Sequence, residues 1–369
     1  MRTVPFFNYP FVFTASEGRF LETLRAVGRR GAFIMQKDLA DFEANLAAYT
    51  GAKYAVGVSN ATDGLQMALM AGGLKAGDEV IICSHTMVAT AASIHFAGGV
   101  PVPVEVGADR CIDADAIEAA ITPKTRAICP SQLNGRTCNM DRIMAVAAKH
   151  GLGVFEDAAQ ALGSKFKGGS AGTFGRAACI SFYPAKVLGC LGDGGAVLTN
   201  DEEIYKKLLL LRDHGRDETG DVVMWGMNSR LDNVEAAYLD FQLKDYPNVV
   251  ERRRGIAAIY QQRLGACERV TLPPAPGSDP NHFDIYQNYE VEGDKRDELK
   301  AYLKEQGVGT LIQWGGRPVH QFGKLGFKQR LPKTDRFFTR CIMLPLNMSL
   351  VDDDVHHVCD KVLEFYSHS

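Results

Sequence analysis

The 369-residue chain carries 41 Lys and Arg against 44 Asp and Glu, a net charge of −3, with 46% apolar and 23% charged residues. This balance excludes a strongly basic nucleic-acid or membrane-surface binder, and no apolar run approaches the roughly 18 residues of a membrane span. At roughly 100–200 residues per domain, the length predicts two domains around a sizeable core.

The opening MRTVPFFNYPFVFT is apolar, but Pro5, Asn8 and Pro10 interrupt it and no small-residue cleavage site follows. It reads as an ordered arm rather than a signal peptide. A helix is predicted over 16–29, with Phe20, Leu24 and Val27 on one face, and a second over 37–49, where Leu39, Phe42, Leu46 and Tyr49 recur at helical spacing before Gly51. Seven short β-branched runs follow, at 55–59, 79–83, 100–106, 126–130, 152–157, 178–182 and 195–200. Helical stretches at 62–72, 86–97, 113–121 and 139–149 separate the first five, the mark of a mainly parallel sheet covered on both faces. The last two strands are joined by a loop alone, which makes the sheet mixed. The expected fold is therefore α/β: a three-layer sandwich around a mainly parallel sheet of about seven strands, with a smaller α+β C-terminal domain. A helix at 201–213 and a long helical region over 230–264 come next. PPAPGSDPN (273–281) reads as a loop at a domain edge, IYQNYEVEG as a strand and DKRDELKAYLKEQG as a helix. The expected division is 1–30 as an arm and helix packing on the small domain or a partner, 31–245 as the large cofactor-binding domain, and 246–369 as the small domain. Arg252–Arg254 reads as a solvated or domain-edge patch. His356, His357 and Cys359 form only a weak metal pattern, better read as a surface helix end. Nine scattered cysteines with no CxxC pair fit reduced thiols in the cytoplasm.

SFYPAKVLGCLGDGG (181–195) sets glycines beside a lysine, which suggests phosphate. The order is wrong for a P-loop, because Lys186 precedes the glycines and Val187 follows it, and no GxGxxG occurs there. Asp157 stands at the carboxyl end of strand LGVFED, where parallel sheets bind ligands, although an aspartate there can also cap a helix. Lys186 lies just past the next strand. An acid and an amine at successive strand ends are what pyridoxal phosphate (PLP) requires: the lysine holds its aldehyde as a Schiff base, and the carboxylate keeps the pyridine nitrogen protonated. Ser181 can take the phosphate, as can the amides of Asn60-Ala61-Thr62 where a helix opens.

YTGAKYAVGVSNATDGLQMAL, KAGDEVIICSHTMVATAASIHFAGGVPVPVEV, FEDAAQALGS, SFYPAKVLGCLGDGGAVLTN and GMNSRLDNVEAAYL together resemble the DegT/DnrJ/StrS family of PLP-dependent nucleotide-sugar aminotransferases, of the aspartate aminotransferase fold type. The resemblance implies that Lys186 is the Schiff-base lysine and proton carrier, that Asp157 meets the pyridine nitrogen and that Gln160 bonds the ring hydroxyl. It implies His85 stacked on the ring, a satisfied histidine at a helix start being the plainer alternative. It implies that Ala61, Thr62 and Ser181 hold the phosphate and that Asn228 reaches the phosphate of a neighbouring subunit's cofactor, hence a homodimer with shared active sites. An amino group would pass from an amino acid, L-glutamate or glutamine, to a keto group on a dTDP-, UDP- or GDP-linked deoxysugar. Such sugars serve surface polysaccharide, O-antigen or antibiotic biosynthesis. Family members that act as dehydratases carry histidine in place of the lysine, so Lys186 favours transamination.

Departures from the family pattern concern the substrate. Ala61 replaces the usual glycine. QLNGRTCNMD and TLIQWGGRPVHQF differ from the more common forms, which makes Asn134, Trp314, Arg317 and His320 candidates for the sugar or nucleotide pocket; Asn134 could instead support the turn before Gly135, and Trp314 an interface. Tyr183 and Arg230 are further candidates. These changes point to a subgroup aminating a 3-keto rather than a 4-keto sugar. A PLP-dependent lyase on the same scaffold and a non-catalytic regulator with a relic PLP fold are the alternatives, the latter opposed by the intact set Asp157, Gln160, Ser181 and Lys186.

Overall fold

The computed structural model describes residues 2–367. Seven five-residue strands form its main sheet: β1 (Tyr54–Val58), β2 (Glu79–Cys83), β3 (Val100–Val104), β4 (Thr125–Cys129), β5 (Gly153–Asp157), β6 (Ala177–Ser181) and β7 (Gly195–Thr199). Their spatial order is β1-β7-β6-β5-β4-β2-β3. β7 runs antiparallel to both neighbours and the other pairs are parallel. The mixed α/β sheet predicted from the alternating runs is the one observed, and the carboxyl ends of β2, β4, β5 and β6 open on one edge.

Both faces are covered. One carries Phe42 and Leu46 of helix Lys37–Thr50 against Phe182, Leu198 and Leu231. The other carries Leu65, Met67 and Leu69 of helix Ala61–Ala71 against Val80, Ile82 and Phe155. Phe42 and Phe182 meet edge to face at 5.3 Å, and each fully buried ring contributes about 1.5–3 kcal/mol of apolar burial. A separate core lies around the antiparallel sheet of Val270–Thr271, Tyr289–Gly293 and Cys341–Leu344. There Tyr260 stacks on Tyr289 at 4.6 Å and donates its hydroxyl to the Pro345 carbonyl.

The predicted helical region 230–264 is two helices, Asn233–Leu243 and Tyr246–Leu264, the second opening with Pro247 in its first turn. This second helix serves both cores: Tyr246 and Val250 pack in the large one, Ile256, Tyr260 and Leu264 in the small one. The expected boundary at 245/246 thus falls at the start of a shared helix rather than between the cores. The arm also divides. Val4 is buried in the small core and pairs with Val308, whereas Ser16 and Phe20 meet Tyr238 of the large unit. Pro10, read as an interruption, instead sits in the first turn of a short helix, Tyr9–Thr14, capped by the Asn8 side chain. Leu24, assigned to the packed face of helix Glu17–Arg30, is 41% exposed.

Two further elements escape the periodicity argument, helix Pro332–Arg340 and strand Cys341–Leu344. His356 and Cys359 lie in helix Asp352–Ser367, where His356 meets Arg263 and Cys359 is buried in the core. No metal-binding cluster occurs among the described residues. All nine cysteines are free thiols. Among the described residues no helix is long and apolar enough to cross a membrane.

Candidate active site

The strand ends and the small unit enclose a cavity of about 660 Å³ that Asp157, Gln160, Ser181 and Lys186 all line. Lys186 sits on the loop joining β6 to β7. Its backbone N–H donates to the Tyr183 carbonyl at 2.8 Å, and Cys190 N–H closes the loop on Phe182. Gln287, from the small unit, grips the chain on both sides of the lysine: it accepts from Val187 N–H at 3.0 Å and donates to the Ala185 carbonyl at 2.9 Å. Among the described residues the Lys186 amine has no hydrogen-bond or ion-pair partner. Burial lowers its pKa, while the nearby Asp157 charge opposes the shift. An amine whose proton is held less tightly than usual, with no protein partner to occupy it among the described residues, is suited to nucleophilic and proton-transfer work.

The loop glycines serve close backbone approach rather than left-handed turns. None of Gly189, Gly192, Gly194 and Gly195 adopts a positive φ. Three of them are needed for close approach. A Cβ on Gly189 would lie 2.9 Å from the Tyr183 carbonyl oxygen, and one on Gly194 would lie 2.9 Å from Cys190 Sγ. A Cβ on Gly195 would strike Asn60 and Ala61 backbone at 2.6 and 2.7 Å. Gly195 therefore clears the start of helix Ala61–Ala71. There the Asn60 side chain caps Asp63 N–H and leaves the amides of Ala61 and Thr62 without acceptors among the described residues. Ser181 lines the same wall. Two unpaired amides at the positive end of a helix dipole and a hydroxyl form an anion cradle.

Strand alternation gives the two carboxylates of β5 different tasks. Glu156 is fully buried and accepts from Gly172, Phe174 and Gly175 N–H and from the Gln132 amide, all at 2.7–2.9 Å. Burial nonetheless raises its pKa, and its work is to anchor the loop before β6. Asp157 faces the cavity instead. Thr90 donates to its Oδ2 at 2.6 Å and Ala159 N–H to its Oδ1 at 3.2 Å. A hydroxyl chain of Ser131, Thr86 and Thr90, linked at 2.7 and 2.8 Å, supports that contact from behind. Gln160 receives Asn134 N–H on its Oε1 at 2.9 Å, which leaves its NH₂ to donate into the cavity. An amine, a carboxylate, an amide donor and an anion cradle on one cavity wall fit an aromatic aldehyde bearing a phosphate.

Other expected residues lie elsewhere. His85 is completely buried, outside the cavity lining, with Nε2 on Gln313 at 2.8 Å and its ring against Phe337 and Phe338. The ring-stacking position assigned to it is corrected: Met87, the residue before helix Val88–Phe96, lines the cavity instead. Asn134 is not positioned as a sugar contact. Its side chain is consumed by Glu290, Asn288 and Gln313, and its φ of 56° supports the turn. His320 is a buried strut between Ser84 and Asp335. Arg230 pairs with Asp213 at 2.7 Å, and Arg317 packs over Phe322, both outside the cavity lining. Tyr183 and Trp314 do line it, Tyr183 at the exposed rim. Asn228 lies outside it, at the base of a hairpin where Met227 accepts from His214.

The structure adds wall residues that the sequence reading lacked: Thr90, Met87, Gln287, Arg253, and Phe6 and Tyr9 of the arm. Met87 stands, like Asn60, immediately before a helix at a strand's carboxyl end, a positional signal that could have found it. Arg253 carried one too. It falls on the buried stripe Tyr246, Val250, Arg253, Ala257, Tyr260 and Leu264, so the basic run it belongs to is not a uniformly solvated patch.

A model of the DegT/DnrJ/EryC1/StrS aminotransferase family matches residues 15–363. The chain is 38% identical to a pleiotropic regulatory protein of Geobacillus stearothermophilus, covering 99% of each. It is 37% identical to the dTDP-3-amino-3,4,6-trideoxy-alpha-D-glucose transaminase of Streptomyces venezuelae, covering 93% of this chain and 92% of that one. It is 36% identical to the UDP-2-acetamido-2-deoxy-3-oxo-D-glucuronate aminotransferase of Pseudomonas aeruginosa, covering 91% and 93%. The structure is similar to that of DesV from S. venezuelae, with a TM-score of 0.94 and 35% identity over 99% of each chain. It is also similar to NtdA of Bacillus subtilis with bound cofactor PMP, with a TM-score of 0.91 and 28% identity over 99% of this chain and 85% of that one.

Proposed function

The chain belongs to the DegT/DnrJ/EryC1/StrS aminotransferase family, as a nucleotide-sugar aminotransferase whose cofactor is pyridoxal phosphate, and we propose that it moves an amino group from L-glutamate to C3 of a nucleotide-linked 3-keto sugar. The observation that carries this reading is the Lys186 amine, without a partner among the described residues, on the same cavity wall as Asp157. Ala61, Thr62 and Ser181 hold the cofactor phosphate, Gln160 donates to the ring hydroxyl, and Lys186 anchors the aldehyde covalently. When bound, the cofactor supplies an electron sink for the pair released from the substrate C–H bond. Lys186, freed as an amine, would accept the proton from the substrate Cα as a general base and give it back as a general acid. Asp157, held by Thr90 and Ala159 N–H, would meet the cofactor's pyridine nitrogen. The names of the Streptomyces and Pseudomonas relatives, both of which refer to position 3 of the sugar, support the 3-keto assignment. The amino sugar would serve a surface polysaccharide or an antibiotic.

The test has two halves. Glutamate added to the holoenzyme should release one 2-oxoglutarate per site without any sugar. The aminated enzyme should then consume one member of a panel of dTDP-, UDP- and GDP-linked 3-keto and 4-keto sugars. Release of no 2-oxo acid from any amino acid would refute transamination, and preference for a 4-keto sugar would refute the C3 assignment. A second reading, regulation, is favoured by the name of the Geobacillus relative. A chain that binds cofactor and sugar but releases no 2-oxo acid from any amino acid would support it.

The site is completed by a second copy, with Asn228 reaching the partner's cofactor phosphate. The hairpin leading to Asn228 exposes Val222, Val223 and Trp225, the last at 95%, and apolar exposure of that extent marks an interaction surface. The triple change Val222→Ser, Val223→Ser, Trp225→Ser should shift sedimentation from dimer to monomer and weaken cofactor retention. A fully active monomeric wild type would rule the shared site out.

A further inference from the structure

Any amino donor brings a carboxylate into the cavity, and so the cationic groups of its wall are informative. Only Lys186 and Arg253 are cationic among the described residues lining it. Lys186 is committed to the cofactor. Arg253 is 5% exposed. Its Nε donates to the Tyr286 carbonyl at 2.9 Å, and its Nη2 to the carbonyls of Gln287 and Leu346 at 2.7 and 2.9 Å. Those three bonds fix the guanidinium plane from one side. Nη1 has no protein acceptor among the described residues. Burial lowers the pKa of Arg253 to about 10, which leaves it protonated at neutral pH.

Its location favours one ligand over another. Arg253 holds the backbone of Gln287, and the Gln287 side chain holds the backbone on both sides of Lys186. Arg253 is thus tied at one residue's remove to the reacting amine. In an α-amino acid the carboxylate is bonded to the carbon that bears the amine, so it must lie close to Lys186 during reaction. The diphosphate of a nucleotide sugar is separated from C3 by the breadth of the sugar ring. We infer that the Nη1 edge of Arg253 is the carboxylate-binding site for the amino donor, an inference that rests on the transaminase reading above. A fixed guanidinium with an open edge suits a carboxylate better than a flexible ammonium would.

The experiment measures half-reaction rates of the holoenzyme against L-glutamate, and separately the KM for the nucleotide sugar. Arg253→Gln should raise the apparent glutamate dissociation constant on the order of tenfold to a hundredfold, the scale of a lost charge-assisted hydrogen bond. Arg253→Lys should restore part of the affinity. The sugar KM should change little. Unchanged glutamate affinity overturns the inference, and so does a rise confined to the sugar KM, which would assign the edge to the diphosphate. A buried arginine can be needed for folding, so wild-type holoenzyme is also treated with 2,3-butanedione and Arg253 followed by peptide mass spectrometry. Glutarate, a non-reactive dicarboxylate, should slow its modification. An Arg253 that stays unmodified, or reacts at the same rate with glutarate, overturns the inference. This arm decides the site even if glutamate yields no oxoglutarate, an outcome that would instead remove glutamate as the donor; release of no 2-oxo acid from any amino acid would remove the transaminase reading.

Discussion

Lys186→Ala should abolish transamination, with a loss of roughly 10³-fold or more, because the same amine anchors the cofactor and carries the proton. The variant should also lose the colour of the lysine-linked cofactor while still binding cofactor through Ala61, Thr62 and Ser181. Wild-type turnover in purified Lys186→Ala would sink the assignment. An independent reading comes from stability without cofactor. Burial lowers the Lys186 pKa in the folded chain, so the unfolded chain binds a proton that the folded chain resists. Below the unfolded value of about 10.4 the buried amine therefore costs stability, and stability rises with pH between the two values. Lys186→Met should raise the melting temperature of the cofactor-free protein at neutral pH, and the gain should fade as the pH passes the unfolded value. A gain that persisted in strong alkali would place its cause in packing rather than in charge.

How far the sequence carried this site depended on the kind of signal each residue leaves. Lys186 and Asp157 were legible because each follows a β-branched run, and the parallel sheet sends its strand ends to one edge. Ala61 and Thr62 were legible because Asn60 is a strong helix cap. His85 was misplaced because the chain between β2 and the next helix turns through residues 84–87, and a two-residue difference in that turn decides which side chain meets the cavity. Asn134, His320 and Arg230 were read as ligand contacts because polar residues in loops often are. Their partners, Glu290, Asp335 and Asp213, lie 156, 15 and 17 positions away, and pairing of that kind leaves no local trace. Helix Pro332–Arg340 and strand Cys341–Leu344 went unseen for a similar reason. Both are short, and tertiary packing rather than periodicity stabilises them. The glycines of the lysine loop are plain in the sequence, but composition does not distinguish a left-handed turn from a close backbone approach.

The second large effect belongs to Asp157, and it separates a charge from a hydrogen bond. Asp157→Asn keeps nearly the same volume and can still receive the Thr90 hydroxyl, whose bond of 2.6 Å fixes the side chain from behind. What it removes is the negative charge. The fall in turnover should be on the order of a hundredfold or more, the scale of losing a preorganised electrostatic partner, whereas cofactor retention should suffer far less. Thr90→Val tests the other half. It leaves the carboxylate and releases part of its orientation, so its loss should be smaller, because Ala159 N–H still holds the side chain. If Asp157→Asn turned over like wild type while Thr90→Val did not, orientation rather than charge would be the contribution of β5. If both were silent, the carboxylate would be no more than the cap of the turn that follows the strand. Glu156→Gln is the control on the neighbouring side chain. It should leave the chemistry intact and lower the melting temperature, because the three backbone N–H groups it receives belong to the loop before β6 and not to the cavity.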